Sequence, residues 1–207
     1  MTEERIVRLG SNDVRTWPVK EIATCLQRGG IIVYPTETIY GLGADALNQK
    51  AVKRLFEIKT RALDKPISVL VRDLDMLNRV VARVPVIARS IMDNYWPGPV
   101  TIIFPASKRL PPILTGQTGN IGVRISPHPF VRRLFDYFDS PLTSTSANIA
   151  GGKNLKELEE ILGTFGSQVD LVITMSEYGG GEASTLIDVT QGRPKVLREG
   201  AVVVEGI

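Results

Sequence analysis

The stretch GGIIVYPTETIYGLGADA, Gly29 to Ala46, decides how the rest of the chain is read. Gly29-Gly30 is turn chemistry, and Ile31-Ile32-Val33-Tyr34 is an apolar, β-prone run of strand length. Pro35 cannot donate to a ladder, so the strand ends there and releases Thr36, Glu37 and Thr38 into a loop. Gly41-Leu42-Gly43 then reads as a Gly-rich entry toward a helix. Hydroxyls, a carboxylate and close glycines beyond a strand end are the material of a small-molecule site in an open α/β sheet. A strand followed by a polar turn would use the same residues, so the neighbouring segments must decide.

Upstream, Ile6–Leu9 suits an edge strand, and 14–27 carries Val19, Ile22, Ala23 and Leu26 at helical spacing before Gly29 stops it. Downstream, Asn48 can cap a helix whose apolar face is Ala51, Val52, Leu55, Phe56 and Ile58. A buried strand is expected over 67–71 and helices over 74–82 and 86–95. The turn Trp96-Pro97-Gly98-Pro99 then leads into a strand over 100–104. The segment 106–119, rich in Pro and Gly, has no clean period and reads as a long functional loop. Strands over 121–125, 142–144, 171–174, 185–189 and 195–198 alternate with helices over 129–138 and 156–165. That alternation predicts an α/β fold with a mostly parallel or mixed sheet, in one domain spanning 1–207.

Composition narrows the class. Of 207 residues, 43% are hydrophobic and 23% charged, which is ordinary globular material. No apolar run approaches a membrane span, and the N-terminal stretch has no signal-peptide core, so a cytoplasmic protein with no membrane partner is expected. One cysteine, Cys25, excludes a disulfide framework and fits a reducing compartment; beside Ile22 and Leu26 it reads as a buried thiol. The net charge of +3 is too small to argue for nucleic acid by itself.

The positive charges are concentrated, however. Lys59, Arg61 and Lys65 fall on one loop between a helix and a strand, offset only by Asp64. Lys59 and Arg61 also suit a helix C-terminus, where cations complement the dipole. Three such cations make an anion clamp fit for polyphosphate or carboxylate. Ser144-Thr145-Ser146-Ala147-Asn148 follows a strand and can bind phosphate, ribose or carboxylate without adding charge, although the same residues also form turns. Arg124 and Arg198 end strands as edge residues or further anion ligands. Gly41 to Ala46 matches G-x-G-x-x-A, but its distance from the strand and the lack of a following acidic residue reject a dinucleotide site. A P-loop, a catalytic triad and a common zinc pattern are absent from the sequence, and His128 reads as a helix-entry residue between two prolines.

Seven separated blocks, from Gly29 to Gly200, together resemble the YrdC-like threonylcarbamoyl-AMP synthases. They are GGIIVYPTETIYGLGADA, KTRALDKPI, WPGPVTIIF, GVRISPHP, STSAN, STLIDVT and VLREG. With its end near residue 207, the chain is most similar to the short, single-domain bacterial type. The resemblance implies an open, twisted, mixed α/β sheet with helices packed around a large basic cavity. It also implies a nucleotidyltransferase that joins L-threonine, bicarbonate and ATP into threonylcarbamoyl-AMP, releasing pyrophosphate. ATP would enter with Mg²⁺, with no tightly bound, protein-ligated metal. Partner proteins would pass the product to tRNA.

The K-x-R and S-x-N signature falls on Lys59, Arg61, Ser146 and Asn148. By the same resemblance Thr38, Arg124 and Ser144 would hold threonine, with Arg124 on its carboxylate. Arg61, Lys65, Asn120, Ser146, Asn154 and Arg198 would hold ATP. A histidine that some longer relatives have near threonine is Leu70 here, so that contact is not carried over. In the implied chemistry threonine's amine becomes a carbamate whose oxygen attacks the α-phosphorus, with Lys59 and Arg61 as clamp. No general base stands out, because a carbamate is already ionised.

A rival expectation is a non-catalytic module that grips double-stranded RNA in the same basic cavity. Against it, aromatics are 6% of the chain and do not interleave with basic residues as stacking platforms do. Within the family, members lacking the full signature are a further alternative, and here the signature is complete. The segment 106–119 is the expected closing loop.

Overall fold

The computed structural model describes residues 5–10, 13–149, 152–175 and 180–205. Part of the N-terminal stretch read above for a signal peptide lies outside the described residues. The strands are β1 (Ile6–Leu9), β2 (Ile32–Tyr34), β3 (Gly41–Gly43), β4 (Ser68–Leu70), β5 (Val100–Pro105), β6 (Asn120–Arg124), β7 (Leu142–Ser146), β8 (Leu171–Met175), β9 (Thr185–Asp188) and β10 (Lys195–Arg198). The helices are α1 (Val19–Gln27), α2 (Gln49–Ile58), α3 (Leu74–Val80), α4 (Val86–Tyr95), α5 (Pro129–Leu134) and α6 (Leu158–Phe165).

The strands form one open ten-stranded sheet in the order β1-β8-β2-β3-β7-β4-β6-β5-β9-β10. It is mixed: β1/β8, β8/β2, β4/β6 and β5/β9 run parallel, and the other neighbours antiparallel. β7 is the seam. Its first residues, Leu142 to Ser144, pair with β4, and its last, Thr145 and Ser146, pair with β3.

Asn48 caps α2 as expected, its side chain accepting from the N–H groups of Lys50 and Ala51 at 3.1 and 3.2 Å. Two readings of the organising region need correction. Gly41–Gly43 is itself a strand, antiparallel to β2, and the helix it leads toward, α2, begins only at Gln49. Its glycines are there for the facing side chain: a Cβ at Gly41 would lie 3.0 Å from the Tyr34 ring, and one at Gly43 2.8 Å. Tyr34 fills that space, fully buried, and its hydroxyl donates to the Thr143 carbonyl at 3.0 Å. The helix expected over 14–27 is split, because Pro18 has no N–H to give. A short 3₁₀ turn, Val14–Thr16, precedes Trp17, and α1 begins at Val19.

The segment 106–119 is more structured than its composition suggests. It holds a 3₁₀ turn, Pro112–Thr115, whose Leu114 is fully buried and whose Leu114 carbonyl accepts the Ile67 N–H at 3.0 Å. Pro112 at the first position preorganises that turn. The middle of the expected closing loop is therefore anchored under the Lys59–Pro66 loop. Among the described residues, no helix is long and apolar enough to cross a membrane.

His128 caps α5 with its Nδ1 accepting the Phe130 N–H at 3.2 Å, which requires a neutral imidazole. Burial, helped by the Arg124 charge, lowers its pKa from 6.5 to about 4. Between those values the unfolded chain binds the proton and the folded one does not. Stability is therefore expected to fall as pH drops from 6.5 to 4, by up to about 3 kcal/mol from this group, and to be flat above 6.5. Urea titrations at pH 7 and 4.5 should show His128→Asn, which keeps a cap without titrating, losing less on acidification than the wild type.

Candidate functional site

Side-chain alternation builds the site. On β5, β6 and β9 the residues Ile102, Phe104, Ile121, Val123 and Ile187 are fully buried in the core. Their alternates, Thr101 and Ile103, Asn120, Gly122 and Arg124, Leu186 and Asp188, line the other side. Ser68 and Leu70 of β4 and Ser144 and Ser146 of β7 continue that lining across the sheet. The result is the floor of a cavity of about 710 Å³. Gly122 keeps the floor low, since a Cβ there would sit 2.5 Å from Ser68 Oγ. The walls come from Thr38–Gly41, from the loop carrying Arg61 and Lys65, from Asn148 and Asn154, and from Ser184 and Arg198. Among the described residues, four cations against one carboxylate, Asp188, make the lining basic.

Thr38, Arg61, Lys65, Asn120, Arg124, Ser144, Ser146, Asn148, Asn154 and Arg198, which come from six separated stretches, thus share one cavity. Lys59 does not line it. Its ammonium, fully buried, donates to the carbonyls of Ser146 and Asn148 (2.8 Å for the latter) and to Asn148 Oδ1 at 3.0 Å. Three acceptors exhaust the three donors of a lysine. Burial, and secondarily Arg61, pull its pKa down to about 7, and the three oxygens offset that penalty on the charge. Lys59, expected as a clamp on carbamate and phosphate, is in this structure a cation that pins the β7 exit loop onto the end of α2.

The rest of the signature is similarly engaged. Ser146 Oγ donates to Asn148 Oδ1 at 2.7 Å, and Asn148 Nδ2 to the Gly152 carbonyl at 2.6 Å. Arg61 turns Nε and Nη2 to the carbonyls of Lys65 and Pro66 at 3.0 and 2.9 Å, stiffening its own loop. Arg198 is held by the Ser184 carbonyl at 2.7 Å. Burial lowers the pKa of both arginines from the ordinary value. Lys65 stands exposed. Thr38 is fixed by Thr36, whose hydroxyl accepts the Thr38 N–H at 3.2 Å and lies 2.9 Å from the Thr38 hydroxyl.

Sequence reading missed Ser68, Thr101, Thr118, Ser184 and Asp188. The hydroxyls of Thr101 and Ser184 meet at 2.8 Å, buried, beside Arg198. Thr101 was detectable as a polar residue at an alternating position of an otherwise apolar strand. Among the described residues, no group of three or more His, Cys, Asp or Glu could hold a metal ion.

Lys59→Met keeps length but takes a donor from the Ser146 and Asn148 carbonyls, of which the first keeps the Asn148 N–H at 2.9 Å, and the Asn148 carbonyl left without one costs about 1–3 kcal/mol. In the ligand-free protein, amide exchange over 144–149 is expected to speed up in Lys59→Met. A lysine acting only on ligands would leave that protection unchanged.

Residues 24–200 match the Sua5/YciO/YrdC family model, described as telomere recombination. The threonylcarbamoyl-AMP synthase of Pseudoalteromonas translucida is 38% identical over 172 residues, covering 82% of this chain and 92% of the relative. That of Pyrococcus abyssi is 32% identical over 94% of this chain, which spans only 57% of the archaeal protein's length. A crystal structure of P. abyssi Sua5 complexed with L-threonine superposes with a TM-score of 0.88 at 31% identity, covering 94% of this chain and 57% of that one. The chain belongs to the Sua5/YciO/YrdC family of threonylcarbamoyl-AMP synthases.

Proposed function

We propose that this chain joins L-threonine, bicarbonate and ATP into L-threonylcarbamoyl-AMP and pyrophosphate, acting in the cytoplasm as a single-domain enzyme. The observation that carries the reading is the cavity itself. Cations, amides and hydroxyls from separated stretches line one face of the sheet around a volume typical of ligand sites, about 300–1,000 Å³. ATP and bicarbonate are anions and threonine carries a carboxylate, so such a lining suits positioning and charge neutralisation.

Arg124 would take the threonine carboxylate, with the Thr38 and Ser144 hydroxyls beside it. Threonine's amine, once it has lost its ammonium proton, takes up bicarbonate with release of water to give a carbamate, which is already ionised and needs no further base. Its oxygen attacks the α-phosphorus in line as pyrophosphate leaves. Lys65, Arg198 and the Nη1 edge of Arg61 would draw charge from the phosphates, and Asn120 and Asn154 would bind the nucleotide through hydrogen bonds. Ser146 would offer an oxygen to the nucleotide, while Lys59 and Asn148 would act by holding it. Mg²⁺ would enter with the phosphates of ATP and neutralise their oxygens. Proteins that transfer the threonylcarbamoyl group to tRNA would consume the product. Among the described residues the cavity lining has a single aromatic residue, Tyr40, which gives little support to the base stacking that the RNA-binding alternative would use.

Pyrophosphate release from ATP and Mg²⁺, measured with threonine and bicarbonate omitted in turn, is expected to require both. Release indifferent to threonine, or none, would overturn the reading. Arg61→Ala is expected to lower turnover by roughly 10², the scale for losing one charge-stabilising group, and Lys65→Ala to raise KM for ATP.

A further inference from the structure

Behind Arg124 lies a carboxylate that the proposed reaction does not use. Glu37 sits on the loop between β2 and β3, next to Thr38, and forms a buried ion pair through Oε1 with Nη1 of Arg124. Its other oxygen accepts a hydrogen bond from the Ser126 hydroxyl, itself buried two residues beyond Arg124. Ser126 Oγ in turn accepts the His128 N–H at 3.2 Å. Arg124 and Thr38 both line the cavity, whereas Glu37 and Ser126 are absent from its lining. One carboxylate thus ties the loop carrying Thr38 to the end of β6 carrying Arg124. A planar guanidinium tied to a carboxylate at Nη1 is restricted in how it can present its fork to an anion.

We propose that Glu37 is the positioning residue of the amino-acid subsite, fixing Arg124 and the Thr38 loop so that a substrate carboxylate is recognised, with Ser126 fixing Glu37. This inference rests on the reading of Arg124 as the threonine-carboxylate ligand. Two effects of removing Glu37 oppose each other. Its negative charge weakens the field of Arg124, so its loss strengthens attraction to a carboxylate. Its loss also removes one of the anchors of a buried guanidinium and unties the loop. Orientation dominates at short range, because a misplacement of about 1 Å costs on the order of 10²-fold in a positioned site.

The test compares binding of L-threonine and L-threoninol, which lacks the carboxylate, by calorimetry, together with KM for threonine and for ATP. Wild type is expected to prefer threonine, and Arg124→Gln to lose that preference. Glu37→Ala is expected to raise KM for threonine about tenfold or more and to shrink the preference, with KM for ATP moving less than about twofold. Glu37→Gln still accepts from Arg124, though without charge, and should give a smaller change in the same direction, as should Ser126→Ala. Should Glu37→Ala not fold, those two variants decide. If both keep the wild-type preference and KM for threonine, the role of Glu37 is overturned while the function stands. If wild type shows no preference for threonine over threoninol, the Arg124 reading falls and the inference with it.

Discussion

The site depends on a lysine that never reaches it. Lys59 leaves the end of α2 and is buried beneath the loop that follows β7, with all three N–H donors on oxygens of Ser146 and Asn148. A buried ammonium is tolerated only with its donors satisfied, and that loop supplies the acceptors. The contact binds an α2 end and a β7 end that are 87 residues apart in sequence. It ties Ser146 and Asn148 to the end of α2, two residues before Arg61.

Around that contact the sheet does the distributing. β7 divides its pairing between β3 and β4, so the loop before β3 and the cation loop before β4 reach the same cavity from two sides. The alternation of β5, β6 and β9 then sorts their residues. One set, Ile102, Ile121, Val123 and Ile187, closes the core. The other set, among them Thr101, Asn120, Arg124 and Asp188, faces the cavity. Because the period is two, a one-residue slip would exchange these sets and lose core and site together.

A consistent feature is how the cavity's cations are held. Arg61 and Arg198 donate to backbone carbonyls, and Arg124 to a buried carboxylate. Lys65 is exposed and stands apart from this pattern. Oriented cations cost little reorganisation when an anion arrives, which is what a reaction among anions requires. The same bonds make the lining sensitive to residues outside it, Lys59 and Glu37 above all.

The sequence by itself determined the alternation of strands and helices, the Asn48 cap, the loop bearing Lys59, Arg61 and Lys65, and the hydroxyl run at Ser144–Asn148. These signals are local: apolar period, capping chemistry, and charge against an apolar background. The tertiary structure alone decided what the local pattern could not carry. Gly41-Leu42-Gly43 looks like a helix entry until the Tyr34 ring lies across it, because that ring belongs to another strand. Lys59 and Arg61 look equivalent, two residues apart and alike in charge, yet the fold brings carbonyls to every donor of one and leaves the other lining the cavity. Thr101, Ser184 and Asp188 joined the site through strand register. A side chain's partners across a sheet depend on pairings between distant segments, and a single sequence does not write those down.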